Sequence, residues 1–102
     1  MRKSTKACDI SQKVKEAVWQ RDGCRCVCCG NPNAMPNAHF IARSQLGLGI
    51  EQNIVTLCSK CHYNYDHTTR REEYREYIRN YLASKYNDWS EEKLKYSKYD
   101  NY

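Results

Sequence analysis

The sequence predicts a small α+β domain in which two short strands lie between an N-terminal helix and a long C-terminal helix. Three observations predict it. A chain of 102 residues holds one domain at most. Leu, Ile, Val and Phe number only 15 against 17 basic and 12 acidic residues, too few aliphatic side chains to stabilise a fold by burial alone. Seven cysteines supply the missing constraint, and two Cys-x-x-Cys pairs stand among them.

In chain order, residues 1–8 read as a mobile basic tail with Arg2, Lys3 and Lys6, an auxiliary phosphate contact at most. Residues 9–102 read as the single domain, with a core at about 21–67 and a helical extension over 68–102. Asp9 to Gly23 predicts the first helix. Asp9 or Ser11 caps it, Val14 and Val18 form its apolar edge, Trp19 anchors it to the core and Gly23 stops it. Ala38 to Ala42 and Ile54 to Leu57 have strand length, so a hairpin with a long loop is expected between them, punctuated by Gly47-Leu48-Gly49. After Cys61 the pattern turns helical to about Lys85, with Tyr74, Ile78, Tyr81 and Leu82 on one stripe. A last capped turn is expected from Ser90.

The odd cysteine count excludes a complete set of disulfides, and no basic-then-apolar leader opens the sequence, so a reducing, cytoplasmic setting is expected. No apolar run reaches ~18 residues, so no membrane span is expected. In such a setting Cys26-x-x-Cys29 and Cys58-x-x-Cys61 suit one tetrahedral Zn²⁺. Cys24, Cys26, Cys28 and Cys29 crowd together, and only Cys26 with Cys29 repeats the spacing of the second pair. Cys8, Cys24 and Cys28 are then spare, as packing residues or exposed thiols. A closed four-sulfur site has no open coordination position, which assigns this zinc to folding. A redox reading of the pairs needs a βαβ pattern that the chain lacks.

The stretch between the pairs, longer than in a plain zinc ribbon, carries His39, with His62 and His67 just beyond it. His62 and Asp66, four residues apart, share a helix face if Cys61 opens a helix, close enough to hold one Mg²⁺ or Mn²⁺. An imidazole beside a carboxylate-bound cation is equipment for phosphodiester hydrolysis. The plainer alternative has His62 capping the zinc knuckle and Asp66 offsetting Arg70.

Taken together, the residues resemble the HNH endonuclease family, in its small bacterial and phage members. The matching stretches are Arg21-Asp22-Gly23, Cys26-x-x-Cys29-Gly30, Ala38 to Gln45, Gly47, Gly49, Asn53 to Cys58, and Cys58-x-x-Cys61-His62, roughly residues 9–67; the tail from Arg71 to Lys98 is also similar. The resemblance implies a zinc-braced ββα-metal fold with His39, Asn53 and His62 at the name-giving positions. His39 is then the general base, Asn53 orients the hairpin or its histidine, and His62 helps to hold the catalytic cation. It implies DNA as substrate, 5′-phosphate and 3′-hydroxyl products, a bacterial or phage-infected cell, and a terminase subunit or other phage packaging protein as partner. Many members carry an acidic cation ligand where this chain has Ala38, and Asp66 is the expected substitute. A catalytically inactive zinc module that binds nucleic acid or a phage assembly protein is the alternative, and Ala38 is the residue that favours it.

The net charge of +5 allows a nucleic-acid partner. Arg43, directly after the His39 strand, is the first expected phosphate contact, and Lys60 in the second knuckle is a further one. Arg71, Arg75 and Arg79 form a basic stripe, but interleaved Glu72, Glu73 and Glu76 also fit an ion-paired face. The nine tyrosines are expected to wrap the tail helix onto the core, through Tyr74, Tyr81 and Tyr86 with Trp89, rather than to stack on bases.

Overall fold

The computed structural model describes residues 3–96. Its central element is β2 (Ile54–Cys58), a run of mostly β-branched and apolar residues of which all five are buried. It pairs antiparallel with β1 (Ala34–His39), from Ala34 opposite Cys58 to His39 opposite Ile54. β1 starts four residues earlier than Ala38 and ends at His39. The register slips between Met35 and Ala38, where Pro36 has no N–H to give to the ladder.

Strand alternation sends Val55 and Leu57 into a core shared with Phe40, Ile41, Tyr65, Ile78, Leu82 and Leu94. Ile54 and Thr56 point the other way, and α2 (Gln12–Arg21) packs against both strands with Val18 fully buried. Ser11 caps α2 as its sequence position predicts, its hydroxyl accepting the Val14 N–H at 3.2 Å. Gly23, at φ +73°, carries the chain out of the helix.

The single helix predicted from Cys61 to Lys85 is two helices, α3 (Ser59–His67) and α4 (Arg71–Lys85). Thr68 separates them. Its backbone is extended, and its hydroxyl donates to the Asn64 carbonyl at 2.7 Å while accepting the Arg70 N–H at 3.1 Å. The local side-chain bonds end one helix and start the next, so α4 folds back along α3. Tyr74, Tyr81 and Trp89 pack against the core as expected, and Tyr86 meets Arg21. A 3₁₀ turn, Glu91–Leu94, follows Ser90 without a cap bond from its side chain. Tyr99 and Tyr102 lie outside the described residues.

Arg21 and Asp22 form the joint between helices and sheet. Asp22 is buried, and its carboxylate accepts Arg21 Nε at 2.7 Å, Arg21 Nη2 at 3.1 Å, the Thr56 N–H at 2.8 Å and the Tyr81 hydroxyl at 2.6 Å. Arg21 also donates to the Glu51 and Ile54 carbonyls, both at 2.7 Å. One ion pair thus joins α2, β2 and α4, with the carboxylate's acceptor capacity filled.

Residues 3–8, expected as part of a mobile tail, form the short helix α1 (Lys3–Cys8). The loop after β1 is held from both ends of the chain. Gly49 N–H donates to the Ala7 carbonyl at 3.0 Å, Leu48 N–H to Leu94 at 2.7 Å, and Tyr96 N–H to Leu46 at 2.8 Å. No helix among the described residues is long and apolar enough to cross a membrane.

Candidate metal centre and active site

The hairpin presents one candidate site at each end. At the Ala34–Cys58 end, Cys26 and Cys29 come from a knuckle closed by the Gly30 N–H on the Cys26 carbonyl, 2.9 Å, with Gly30 at φ +79°. Val27 N–H donates to the Thr56 carbonyl at 3.0 Å and ties that knuckle to β2. Cys58 ends β2 and caps α3, its sulfur accepting the Cys61 N–H at 3.4 Å.

The sulfurs of Cys26, Cys29, Cys58 and Cys61 all lie within 4.8 Å of one another, and those of Cys29 and Cys58 are 3.5 Å apart. A tetrahedron with Zn–S of about 2.3 Å has edges of about 3.8 Å, so the group can hold a metal ion and suits a structural zinc. Among the described residues it is the only group of three or more such ligands. Burial opposes ionisation of Cys26, yet the N–H groups of Cys58, Cys29 and Cys28 prevail and bring the thiol down to about 7. Burial beside Cys26, Cys29 and Cys58 pushes Cys28 up to about 12, which keeps it a neutral packing thiol. Of the other spare cysteines, Cys8 is buried and Cys24 exposed.

At the opposite end, His39 closes β1. Its Nε2 lies 2.9 Å from the Cys8 carbonyl, and burial is the main cause holding the imidazole below its ordinary pKa; Arg43 and His62 add to that through their charge, while the Cys8 carbonyl and Asp9 oppose it. Asn53, fully buried, stands just before β2. It accepts the Ile41 N–H at 2.8 Å and donates to the Ile41 and Leu48 carbonyls at 3.2 and 2.8 Å, so it braces the loop that His39 leads into rather than touching the imidazole. Phe40 is held on both sides, its N–H on the Asn53 carbonyl at 2.7 Å and its carbonyl accepting the Tyr65 hydroxyl at 2.7 Å.

His62 and Asp66 share one face of α3, as their spacing predicts, with Nε2 and Oδ2 3.2 Å apart and both side chains partly exposed. Arg70 pairs with Glu73, not with Asp66. Together His62 and Asp66 offer one imidazole nitrogen and one carboxylate, two donors where the cysteine group offers four. His67 instead packs at a tilt against Tyr63, with ring centroids 5.0 Å apart. Ala38 is fully buried, its side chain part of the core.

The basic residues divide. Arg43 reaches the Cys8 carbonyl at 3.1 Å and Asp9 at 2.6 Å, beside His39. Lys60 is exposed at the start of α3. Arg71 is exposed and lies over the Tyr65 ring. Arg75 is committed elsewhere: it pairs with Glu91 and lies over the Phe40 ring at 4.7 Å, while Arg79 approaches Glu91 at 3.9 Å. Through Glu91, Arg75 and Arg79 clamp the C-terminal turn, as an ion-paired face would.

Two contributors have no composition or spacing signal. The Cys8 carbonyl belongs to a segment expected as tail, and the bonding of the Arg21–Asp22 joint shows in composition and spacing only as two adjacent charges, although the pair lies in a stretch that carries the resemblance. Compared with models of known protein families the chain matches none, and compared with curated proteins it has no significant match.

Proposed function

We propose that the protein is a metal-dependent DNA endonuclease of the HNH type, a zinc-braced ββα-metal fold that hydrolyses phosphodiester bonds and nicks or cuts double-stranded DNA. The observation that supports this reading is an imidazole at the end of β1 with an asparagine bracing the loop that follows it, and a histidine–aspartate pair on the next helix whose His62 is near enough for its charge to act on His39. His39, kept neutral by burial, takes the proton of the attacking water. Asn53 sets the loop that fixes His39, and Arg43 holds a phosphate oxygen beside the scissile bond. A Mg²⁺ or Mn²⁺ held by His62 and Asp66 would stabilise charge on the leaving oxygen. Zn²⁺ on Cys26, Cys29, Cys58 and Cys61 holds the other end of the hairpin and does no chemistry. Four thiolates and one Zn²⁺ lower the net charge from +5 to about +3, so affinity for DNA depends on the catalytic cation as well as on salt. A terminase subunit or other phage packaging protein is the partner this reading implies.

One observation favours a second reading, a non-catalytic zinc module that binds nucleic acid or a phage assembly protein. Ala38 is buried where an acidic ligand would stand, which leaves the cation only two protein donors. Supercoiled plasmid separates the two readings. The nuclease converts it to open circles only with Mg²⁺ or Mn²⁺, and DNA ligase reseals the nicks because they carry a 5′-phosphate and a 3′-hydroxyl. Retarded plasmid with no nicking under either cation selects the module.

A further inference from the structure

The segment that leaves α1 lies outside the hairpin and α3, yet it meets the candidate site at three points. The Cys8 carbonyl receives His39 Nε2 at 2.9 Å and Arg43 Nη1 at 3.1 Å, and the Asp9 carboxylate receives Arg43 Nη2 at 2.6 Å. A carbonyl oxygen only accepts, so Nε2 carries the proton of the neutral ring and Nδ1 keeps the lone pair.

The segment is also fixed in place. Ala7 accepts the Gly49 N–H at 3.0 Å, and a Cβ on Gly49 would sit 2.1 Å from the Asp9 carbonyl oxygen and 3.0 Å from that of Cys8. The strand of backbone from Ala7 to Asp9 therefore rests directly on the glycine of the loop that Asn53 braces. Only a residue without a side chain at position 49 permits that approach.

We propose that Ala7 to Asp9 is a positioning strap of the active site: the Cys8 carbonyl sets the His39 tautomer, so that Nδ1 is the nitrogen that takes the proton from water, and Asp9 holds Arg43 beside it. This rests on His39 being the general base. The strap makes residues 7–9 part of the catalytic unit, although they precede every residue of the hairpin. A general base contributes about 10²–10⁴-fold to such a reaction, and a base presenting the wrong nitrogen forfeits most of that.

The test uses ¹⁵N-histidine-labelled full-length protein at pH 7.5, where long-range nitrogen–proton correlations show which ring nitrogen is protonated. The sequence has three histidines, and single His62→Gln and His67→Gln variants assign them. Wild type is expected to show His39 with its proton on Nε2 alone. Gly49→Ala, which displaces the strap, is expected to show both tautomers and to nick plasmid at least tenfold more slowly at saturating DNA, with DNA affinity within twofold of wild type. Deletion of residues 1–10 is expected to do the same. His39 protonated on Nδ1 in wild type overturns the proposal, and so does a mixed tautomer with an undiminished nicking rate. The expected tautomer in a wild type that never nicks keeps the strap geometry, overturns its catalytic role and sinks the nuclease reading with it.

Discussion

The two ends of one hairpin are built by opposite strategies. At the Ala34–Cys58 end, the cysteine group is made from two tight knuckles whose ligands are three residues apart, and each knuckle is closed by its own backbone N–H. At the His39–Ile54 end, the site draws on β1, the Asn53 loop and the exit of α1, and its main joints are bonds between residues 12 to 35 apart in sequence. The first end has four ligands placed for one metal ion, and the second is held by a net of about 1 kcal/mol hydrogen bonds. Removing one ligand from the first should therefore cost the fold, whereas single bonds of the second can be lost while the fold survives.

Metal removal gives the largest effect. Structural zinc contributes about 10–16 kcal/mol of apparent binding free energy in small zinc domains, which is folding free energy where the site does not exist unfolded. Chelation, or Cys58→Ser, is expected to abolish cooperative thermal unfolding and most of the helical circular dichroism. A chelated protein that still melts cooperatively within a few degrees of the loaded one would show that the cysteine group holds the fold without metal.

Asp22→Ala comes next. It strips Arg21 of its carboxylate and leaves the Thr56 N–H and the Tyr81 hydroxyl without their acceptor, so a loss of about 3–5 kcal/mol is expected by chemical denaturation. Tyr81→Phe removes one bond of that net and should cost only about 1 kcal/mol. Equal losses in the two variants would mean that Asp22 is not the joint described above.

What could be read in the sequence follows the same division. Cys26, Cys29, Cys58 and Cys61 were legible because their ligand spacing is a property of a few adjacent residues. The Ser11 cap and the shared face of His62 and Asp66 were legible for the same reason, and the pairing of β1 with β2 because two strand-length runs stand with only a loop between them. The break at Thr68 was not, because an apolar stripe continues across it and only the threonine hydroxyl's competition for backbone bonds marks it. The commitment of Arg75 to Glu91 was hidden in the fold-back of α4 and the C-terminal turn. The contact of Cys8 with His39 joins residues 31 apart, through a backbone atom that every residue has.

Under the proposed nuclease function, the pH dependence of nicking is a smaller effect at the second end. Burial first, then the charges of Arg43 and His62, hold His39 below its ordinary 6.5, against the Cys8 carbonyl and Asp9. The base thus takes a proton less readily than a free imidazole, and the acid limb of the nicking rate is expected below 6.5. Arg43→Ala removes one cationic neighbour and should move the limb upward. Because the folded state binds this proton less readily than the unfolded chain, His39 contributes stability that is present above pH 6.5 and is lost as pH falls below it. An acid limb above 6.5 in wild type would contradict the neutral-base account.

The central claim is that His39 performs chemistry at one end of the hairpin while the cysteines hold the other. It is tested most directly by single-turnover nicking of supercoiled plasmid with Mg²⁺, comparing wild type and His39→Ala at equal zinc content and matched thermal midpoints. The account predicts a variant that melts within a few degrees of wild type and nicks about 10²–10⁴-fold more slowly. A His39→Ala protein that nicks as fast as wild type would contradict it.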